Sequence, residues 1–477
     1  MSNKKSFFNK IVRNTKTRIK RSFQKFKRRV LRTDIERILT LGYVSKVPQR
    51  QLTVGYLSYI IAGTALLLLP FMTNSHASFL DHLFTATSAV STTGLSTVDV
   101  SQVYTFWGQL VILLMIQLGG LGYMTISSFA MLRMTKHFTQ IKSGIINAEF
   151  SRPANISMKN LVNGIISFTL LFEVLGAIAL YPMMKTAGET SPLWSAVFHS
   201  VSSFCTAGFS IYSDNLMQFS THWGINLVIM ILSYAGAMGF IVMIDLWKKI
   251  TEKDYQVSFT TQIILGITLL ISTWGTVQLY FFDSSLQQFD AADRFLVALF
   301  QTMSALTTVG YNSIDITSLY PLSLLTLVVV MYLGASPSGT GGGLKSTTTS
   351  AVYAYVKSKL SEERDVYLFG RRIPTYRVDT ALSTFIFYTT ILFIGSYMLC
   401  TTEKQDYLHL LFEAASALGT VGLSSGVSAE LTSIGKIIII SLMFVGRVGV
   451  LTIGNAMLIR MTRASKKKLI KEDDLVV

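Results

Sequence analysis

Four short segments of the chain share one pattern: LFTATSAVSTTGL (83 to 95), VFHSVSSFCTAGF (197 to 209), LFQTMSALTTVGY (299 to 311) and LFEAASALGTVGL (411 to 423). Each reads Phe-x3-Ser-x3-Thr-x-Gly followed by a large apolar residue. The matching positions are Phe84, Ser88, Thr92 and Gly94; Phe198, Ser202, Thr206 and Gly208; Phe300, Ser304, Thr308 and Gly310; and Phe412, Ser416, Thr420 and Gly422. The i, i+4, i+8 spacing lays Phe, Ser and Thr along one face of a short helix, and the glycine is expected to end it because glycine adopts left-handed backbone angles cheaply. What such a turn offers chemically is backbone carbonyls. At membrane depth unpaired carbonyls are tolerated only where they line a water-filled or ion-filled path, and four turns around one axis would form a ring able to replace the hydration shell of a monovalent cation. The candidate ion-binding residues are therefore Thr92, Thr93, Gly94, Thr206, Ala207, Gly208, Thr308, Val309, Gly310, Thr420, Val421 and Gly422. One copy would be read as an ordinary helix end; four in register argue against that.

The elements that must hold these turns are apolar. Half of the 477 residues are hydrophobic and only 14% are charged, too few for an ordinary soluble globule. Runs long enough to cross a hydrocarbon core recur near 52 to 72, 103 to 126, 160 to 183, 222 to 246, 258 to 282, 321 to 346, 378 to 400 and 434 to 459, giving eight expected spans in an all-α membrane protein. Each motif segment falls between two full spans and is too short to cross, so it is expected to re-enter and return. The organisation expected is a basic arm (1 to 50), repeat 1 (51 to 135), repeat 2 (159 to 250), repeat 3 (257 to 358), repeat 4 (377 to 463) and a tail (464 to 477).

Charge orients the spans. Residues 1 to 50 carry 16 Lys and Arg against Asp34 and Glu36, and bases recur at Lys136, Lys142 and Arg152, at Lys248, Lys249 and Lys253, at Arg371, Arg372 and Arg377, and at Lys466 to Lys468. Retention of bases on the cytoplasmic side places both termini there, in a multi-pass protein of the cell membrane. The opposite connections are acidic, with Asp81, Asp99, Glu189, Asp214, Asp283, Asp290, Asp293, Asp315, Glu403, Asp406 and Glu430 against Lys185, Arg294 and Lys404. That asymmetry is either topology alone or an outer vestibule that concentrates cations. The arm, with Ile19, Phe23 and Phe26 among its bases, suits an interfacial helix on anionic lipid or a cytoplasmic partner rather than nucleic acid. No cleavable signal peptide is expected, since the first apolar run starts near residue 52. Cys205 and Cys400 give no metal spacing, and nothing assembles a hydrolase triad or a zinc site, so the chain is not read as an enzyme.

The inner spans repeat a small-residue cluster: GGLG (119 to 122), GAMG (236 to 239), GASP (334 to 337) and GRVG (446 to 449). Close helix packing is the plain explanation. Two copies depart from it. Arg447 lies 11 residues from Lys436 and 13 from Arg460, near mid-membrane, where a charge needs a polar partner. It either pairs with Glu173 or faces the pathway below the turns as a positive barrier. In the third copy, GASPSGTGGGLKSTTTS (334 to 350) interrupts the span. It fails as a phosphate loop because Leu344, not glycine, precedes Lys345, and no βαβ unit surrounds it. A small-residue loop below the turns is read instead as a gate spanning 334 to 346, its candidate residues being Gly339, Thr340, Gly341, Gly342, Gly343 and Lys345, with Arg447. Thr85, His199, Gln301 and Glu413, each following a repeat Phe, are expected to tie the short helices to their neighbours.

The four units, the Thr-x-Gly turns, GTGGGLKSTTT and GRVG together resemble the Trk/Ktr/HKT superfamily of cation transporters, closest to the KtrB-type membrane subunit of potassium uptake systems, over nearly all of residues 50 to 465. TVG at 308 to 310 and 420 to 422 also echoes potassium-channel filters. The resemblance implies potassium at the carbonyls of all four turns, a homodimer with one pore per subunit, and a cytosolic KtrA-type ring of nucleotide-binding regulatory subunits. It implies no covalently bound cofactor, and leaves Na+ open as a coupling or activating ion. The absence of an extra amino-terminal span pair favours the Ktr side. In the resembling plant transporters serine in the first turn goes with sodium, so glycine at 94 favours potassium. The rival readings are a sodium-conducting or poorly selective transporter of the same class and, from another class, a membrane enzyme or receptor on a pore scaffold.

Overall fold

The computed structural model describes residues 48–122, 158–337 and 339–454. The basic arm, the connection holding Lys136, Lys142 and Arg152, and the tail lie outside the described residues, and so do the expectations placed on them.

The described chain is helical in four successive groups. The first is α1 (Pro48–Leu67), α2 (Phe79–Ser91) and α3 (Phe106–Leu121). The second is α4 (Met158–Thr186), α5 (Pro192–Phe204), α6 (Trp223–Met238) and α7 (Phe240–Thr251). The third is α8 (Phe259–Phe282), α9 (Ala291–Thr307), α10 (Pro321–Leu333) and α11 (Ser346–Leu360). After an antiparallel hairpin, β1 (Tyr367–Leu368) with β2 (Arg371–Arg372), the fourth is α12 (Thr375–Thr402), α13 (Tyr407–Gly419) and α14 (Ser433–Val448).

Local chemistry sets the starts. Ser78 accepts from the Asp81 N–H at 3.2 Å while Asp81 accepts from the Ser78 N–H at 3.1 Å, a reciprocal cap on α2. Thr105, Ser258 and Thr432 cap α3, α8 and α14 through their hydroxyls, each contributing about 1 kcal/mol. Proline opens α5 and α10, where its missing N–H costs nothing.

The outer helices turn apolar side chains outward: Leu170, Leu175 and Ile178 on α4, Leu269, Leu270 and Phe281 on α8, Ile386, Phe393 and Tyr397 on α12. A face of that kind fits lipid. Among the described residues α4, α8 and α12 are long and apolar enough to cross a bilayer, and α6 with α7 would make a fourth across a 102° bend. Of the other expected spans, those at α3 and α10 form shorter apolar helices, because hydropathy runs do not register helix breaks. Every inner helix stops at a glycine of positive φ: Gly122 (77°), Gly239 (88°), Gly334 (52°) and Gly449 (92°). The break expected only in the third unit is thus shared by all four. In the second and fourth units the helix resumes at the next residue, Phe240 and Val450, whereas in the third it resumes only at Ser346 as α11.

The groups pack in a cycle. Each inner helix lies on its own short helix, α3 on α2, α6 on α5, α10 on α9 and α14 on α13. Each also lies on the short helix of the next group: α3 on α5, α6 on α9, α10 on α13, and α14 back on α2. The repeat phenylalanines Phe84, Phe198, Phe300 and Phe412 are fully buried in the cores so formed.

Candidate functional site

The four Thr-x-Gly segments converge where the short helices end. Threonine rather than glycine ends them, correcting the sequence reading: Thr92, Thr206, Thr308 and Thr420 all take left-handed angles, φ 52°, 50°, 59° and 48°. Each left-handed residue other than glycine costs about 1 to 2 kcal/mol. A hydrogen bond back into the helix offsets it in every copy. The N–H groups of Thr93, Ala207 and Val421 donate to the carbonyls of Ser88, Ser202 and Ser416 at 2.8 Å, and that of Val309 to Ser304 at 3.1 Å. The repeat serine braces the turn a second time. Ser88 and Ser416 accept from the N–H of Gly94 and Gly422 at 3.0 Å, whereas Ser202 and Ser304 donate to the carbonyls of Phe209 at 2.9 Å and Tyr311 at 2.6 Å.

With the N–H groups spent inside each helix, the carbonyls of Thr93, Ala207, Val309 and Val421 are left over; among the described residues no hydrogen bond ends on them, although all four residues are buried. The glycines order them into a ring. A Cβ on Gly94 would lie 2.5 Å from the Ala207 oxygen, and one on Gly208, Gly310 or Gly422 would lie 2.0 Å from the oxygen of Val309, Val421 or Thr93. Each turn therefore abuts the next, and the fourth abuts the first. All twelve expected ion-binding residues belong to this ring.

Behind it, three of the four residues that follow a repeat Phe hold the chain that leaves their own turn, whereas the buried Thr85 hydroxyl meets no hydrogen-bond partner among the described residues. Glu413 accepts from Ser424 at 2.5 Å, the Ser425 N–H at 3.0 Å and Ser428 at 2.8 Å; His199 meets Ser210 at 3.1 Å; Gln301 accepts from the Ser313 N–H at 3.4 Å. The first glycine of three inner clusters lets the inner helix reach the end of a short helix: a Cβ on Gly119, Gly236 or Gly446 would strike the carbonyl of Val90, Phe204 or Leu418. Sequence reading missed a tie on the acidic side, where Lys436 of α14 pairs with Asp81 of α2 at 2.6 Å and joins the fourth group to the first. Only spatial proximity reveals it, since 355 positions separate the two residues.

The segment 339 to 345 lies directly against the ring's threonines. The Thr340 hydroxyl meets that of Thr206 at 3.0 Å and donates to the Phe204 carbonyl at 3.1 Å, while its carbonyl accepts from Thr92 at 3.4 Å. A Cβ on Gly341 would meet the Thr308 hydroxyl at 2.4 Å, and one on Gly342 the Thr420 hydroxyl at 2.1 Å. Three consecutive residues thus touch all four turns. Lys345 folds back on its own loop, donating to the carbonyls of Gly341 at 2.7 Å and Gly342 at 3.1 Å.

Arg447 completes the cluster. Its guanidinium donates to the Thr92 hydroxyl at 3.0 Å and to the carbonyls of Thr340 and Gly119. The alternative partner, Glu173, accepts instead from Gln117 at 3.2 Å. Below the loop lies a cavity of about 250 Å³ lined by Gly339, Gly341, Gly342, Gly343, Lys345 and Arg447, with Tyr56 and Tyr388 on its wall.

The profile of the TrkH family, described as cation transport protein, matches residues 46–467. The chain belongs to that family. It is 33% identical to the Ktr system potassium uptake protein B of Bacillus subtilis over 86% of this chain and 93% of that one, and 32% identical to its namesake from Vibrio alginolyticus over 85% and 90%. The Potassium/sodium uptake protein NtpJ of Enterococcus hirae is 30% identical over 90% of this chain and 97% of that one. Among solved structures, the potassium transporter TrkH from Vibrio parahaemolyticus matches with a TM-score of 0.69 at 20% identity, covering 87% of this chain and 85% of that one. The helical fold and the multi-pass membrane location accord with these relatives.

Proposed function

We propose that the protein takes potassium into the cell through a pore whose selective element is the ring of turns, in a pseudo-fourfold arrangement of eight spans with both termini cytoplasmic. The observation that carries this reading is the closed cycle of glycines, each abutting the next turn's free carbonyl. Oxygens fixed in this way substitute for the water around a dehydrated monovalent cation. The loop 334 to 346 closes the pore by occupying the ring's threonines, and Arg447 clamps it there while placing a positive charge on the pathway. The Ktr system names of two relatives support a cooperating cytosolic subunit, which we take to be a nucleotide-binding ring under a homodimer.

The name of the Enterococcus relative favours a second reading, in which sodium is also carried or activates uptake. Potassium and sodium flux into vesicles holding the purified protein, with and without candidate regulatory subunits, separates the two. Potassium-selective flux that rises with the subunit supports the proposal. Equal sodium flux favours the second reading, and no cation flux under any condition removes both.

A further inference from the structure

The hairpin between α11 and α12 spends conformational energy on an aromatic tip. Its two turn residues, Phe369 and Gly370, have φ 47° and 74°, the left-handed pair of a tight hairpin turn. Asparagine or glycine fits the first position cheaply, whereas a bulky residue there is an outlier worth a functional explanation. The strain does not serve packing, because Phe369 is 82% exposed. Nearby Leu360, at the end of α11, is equally exposed, and Tyr376 opens the other side at 63%.

The fold fixes where this tip sits. Strand β2 runs through Pro374 straight into α12, and the Arg371 guanidinium lies 4.8 Å from the ring of Phe259, the first residue of α8. Both α8 and α12 are long and apolar enough to cross a bilayer, so the hairpin stands at the mouth of two spans. Aromatic side chains at that level partition into the interface, and bases beside them meet lipid phosphate. Arg364, Arg371, Arg372 and Arg377 supply those bases; Arg372 is shared with Asp365 at 2.8 Å.

We propose that this hairpin is a membrane-interface anchor, with Phe369 seated among anionic phospholipid headgroups and Arg371 against their phosphates. It would hold the outer end of α11, whose inner end follows Lys345 beneath the ring. The inference rests on α8 and α12 spanning the membrane, and the test separates failure of that premise from failure of the anchor. In full-length protein with Cys400→Ser, since Cys205 is buried, a bimane label is placed at Tyr367→Cys on the hairpin or, as a control, at Leu269→Cys on α8. Vesicles of phosphatidylcholine and phosphatidylglycerol carry a doxyl quencher at the headgroup or deep in the chain. The expected result is loss of most hairpin emission with the shallow quencher, restored by adding Phe369→Asp and weakened when phosphatidylglycerol is omitted. Deep quenching at 269 with none at 367 overturns the anchor. Absence of quenching at 269 overturns the spanning premise and the anchor with it. Shielding of the hairpin only after a cytosolic fraction is added also overturns it, in favour of a protein-docking surface.

Discussion

The ring makes its four glycines unequal, and that inequality is testable with one substitution made four times. A serine at 208, 310 or 422 would place Cβ 2.0 Å from a neighbouring carbonyl oxygen, so that backbone must retreat by at least about 1 Å to reach 3.0 Å, the shortest separation a Cβ tolerates. At Gly94 the separation is 2.5 Å, and a retreat of about 0.5 Å suffices. All four positions add the left-handed penalty, about 1 to 2 kcal/mol. Gly94→Ser is therefore expected to assemble and to transport with one carbonyl, that of Ala207, displaced. A displacement costing the potassium-bound ring about 1.4 kcal/mol lowers discrimination against sodium about tenfold. The other three substitutions are expected to lower the yield of folded protein before selectivity can be read. The assay is competitive rubidium and sodium uptake into vesicles, with thermal denaturation in detergent for all four variants. If Gly94→Ser kept the parent's ion ratio, or if Gly310→Ser were the more stable of the two, the reasoning from ring contacts would be refuted.

Three further outcomes follow from the loop and its supports. Arg447→Gln removes charge-assisted bonds to Thr92, Thr340 and Gly119, worth about 1.5 to 3 kcal/mol each, and should raise basal flux at least tenfold with weaker dependence on cytosolic subunits. Flux and regulation unchanged from the parent would take Arg447 out of the gate. Removing Gly341 to Gly343 should likewise open the pathway, read as uptake without subunit, whereas unchanged uptake would make the loop a passive kink. Ser304→Ala should destabilise the protein by about 1 kcal/mol through the lost bond to Tyr311, seen as a lower denaturation midpoint, with no change expected if the hydroxyl is redundant.

How much of this was legible in the sequence depended on whether a feature is local. The four turns were, because Phe, Ser, Thr and Gly repeat at fixed spacing and each turn is built from its own segment. The role of Ser88 and its three counterparts was legible in spacing but not in purpose, since the bond from serine to the turn needs the threonine's left-handed angle to be known. The glycines do take positive φ, as propensity suggests; what propensity does not show is that Thr92, Thr206, Thr308 and Thr420 take it two residues earlier, held by the bond from the next N–H back to the repeat serine. Helix breaks in the inner spans were visible only at GASP, where proline marks one, because glycine inside an apolar run is equally compatible with close packing. Gly119 and Gly122 show both uses within four residues. Pairings across groups, Lys436 with Asp81 and Arg447 with Thr92, lie beyond any sequence window.

The departures from fourfold repetition fall in one place. A ring built of four like turns cannot close itself selectively, because any contact made by one turn is available to the others. On the gating proposed above, the closing element comes from units that differ, and two of them differ in complementary ways: the third supplies a chain segment and the fourth the Arg447 guanidinium that bonds to it. Thr340 is the residue where these meet, bonded to Thr206 and Phe204 of the second group, to Thr92 of the first and to Arg447 of the fourth. These contacts converge on one residue, so on the gating proposed above a shift of the loop exchanges several hydrogen bonds together. A regulator can move that equilibrium only by binding the two positions unequally. The loop is continuous with α10 and α11 and is also bonded to α6, where Ser336 and Thr340 meet the carbonyls of Ala237 and Gly236, so these three helices are its described connections to the rest of the protein.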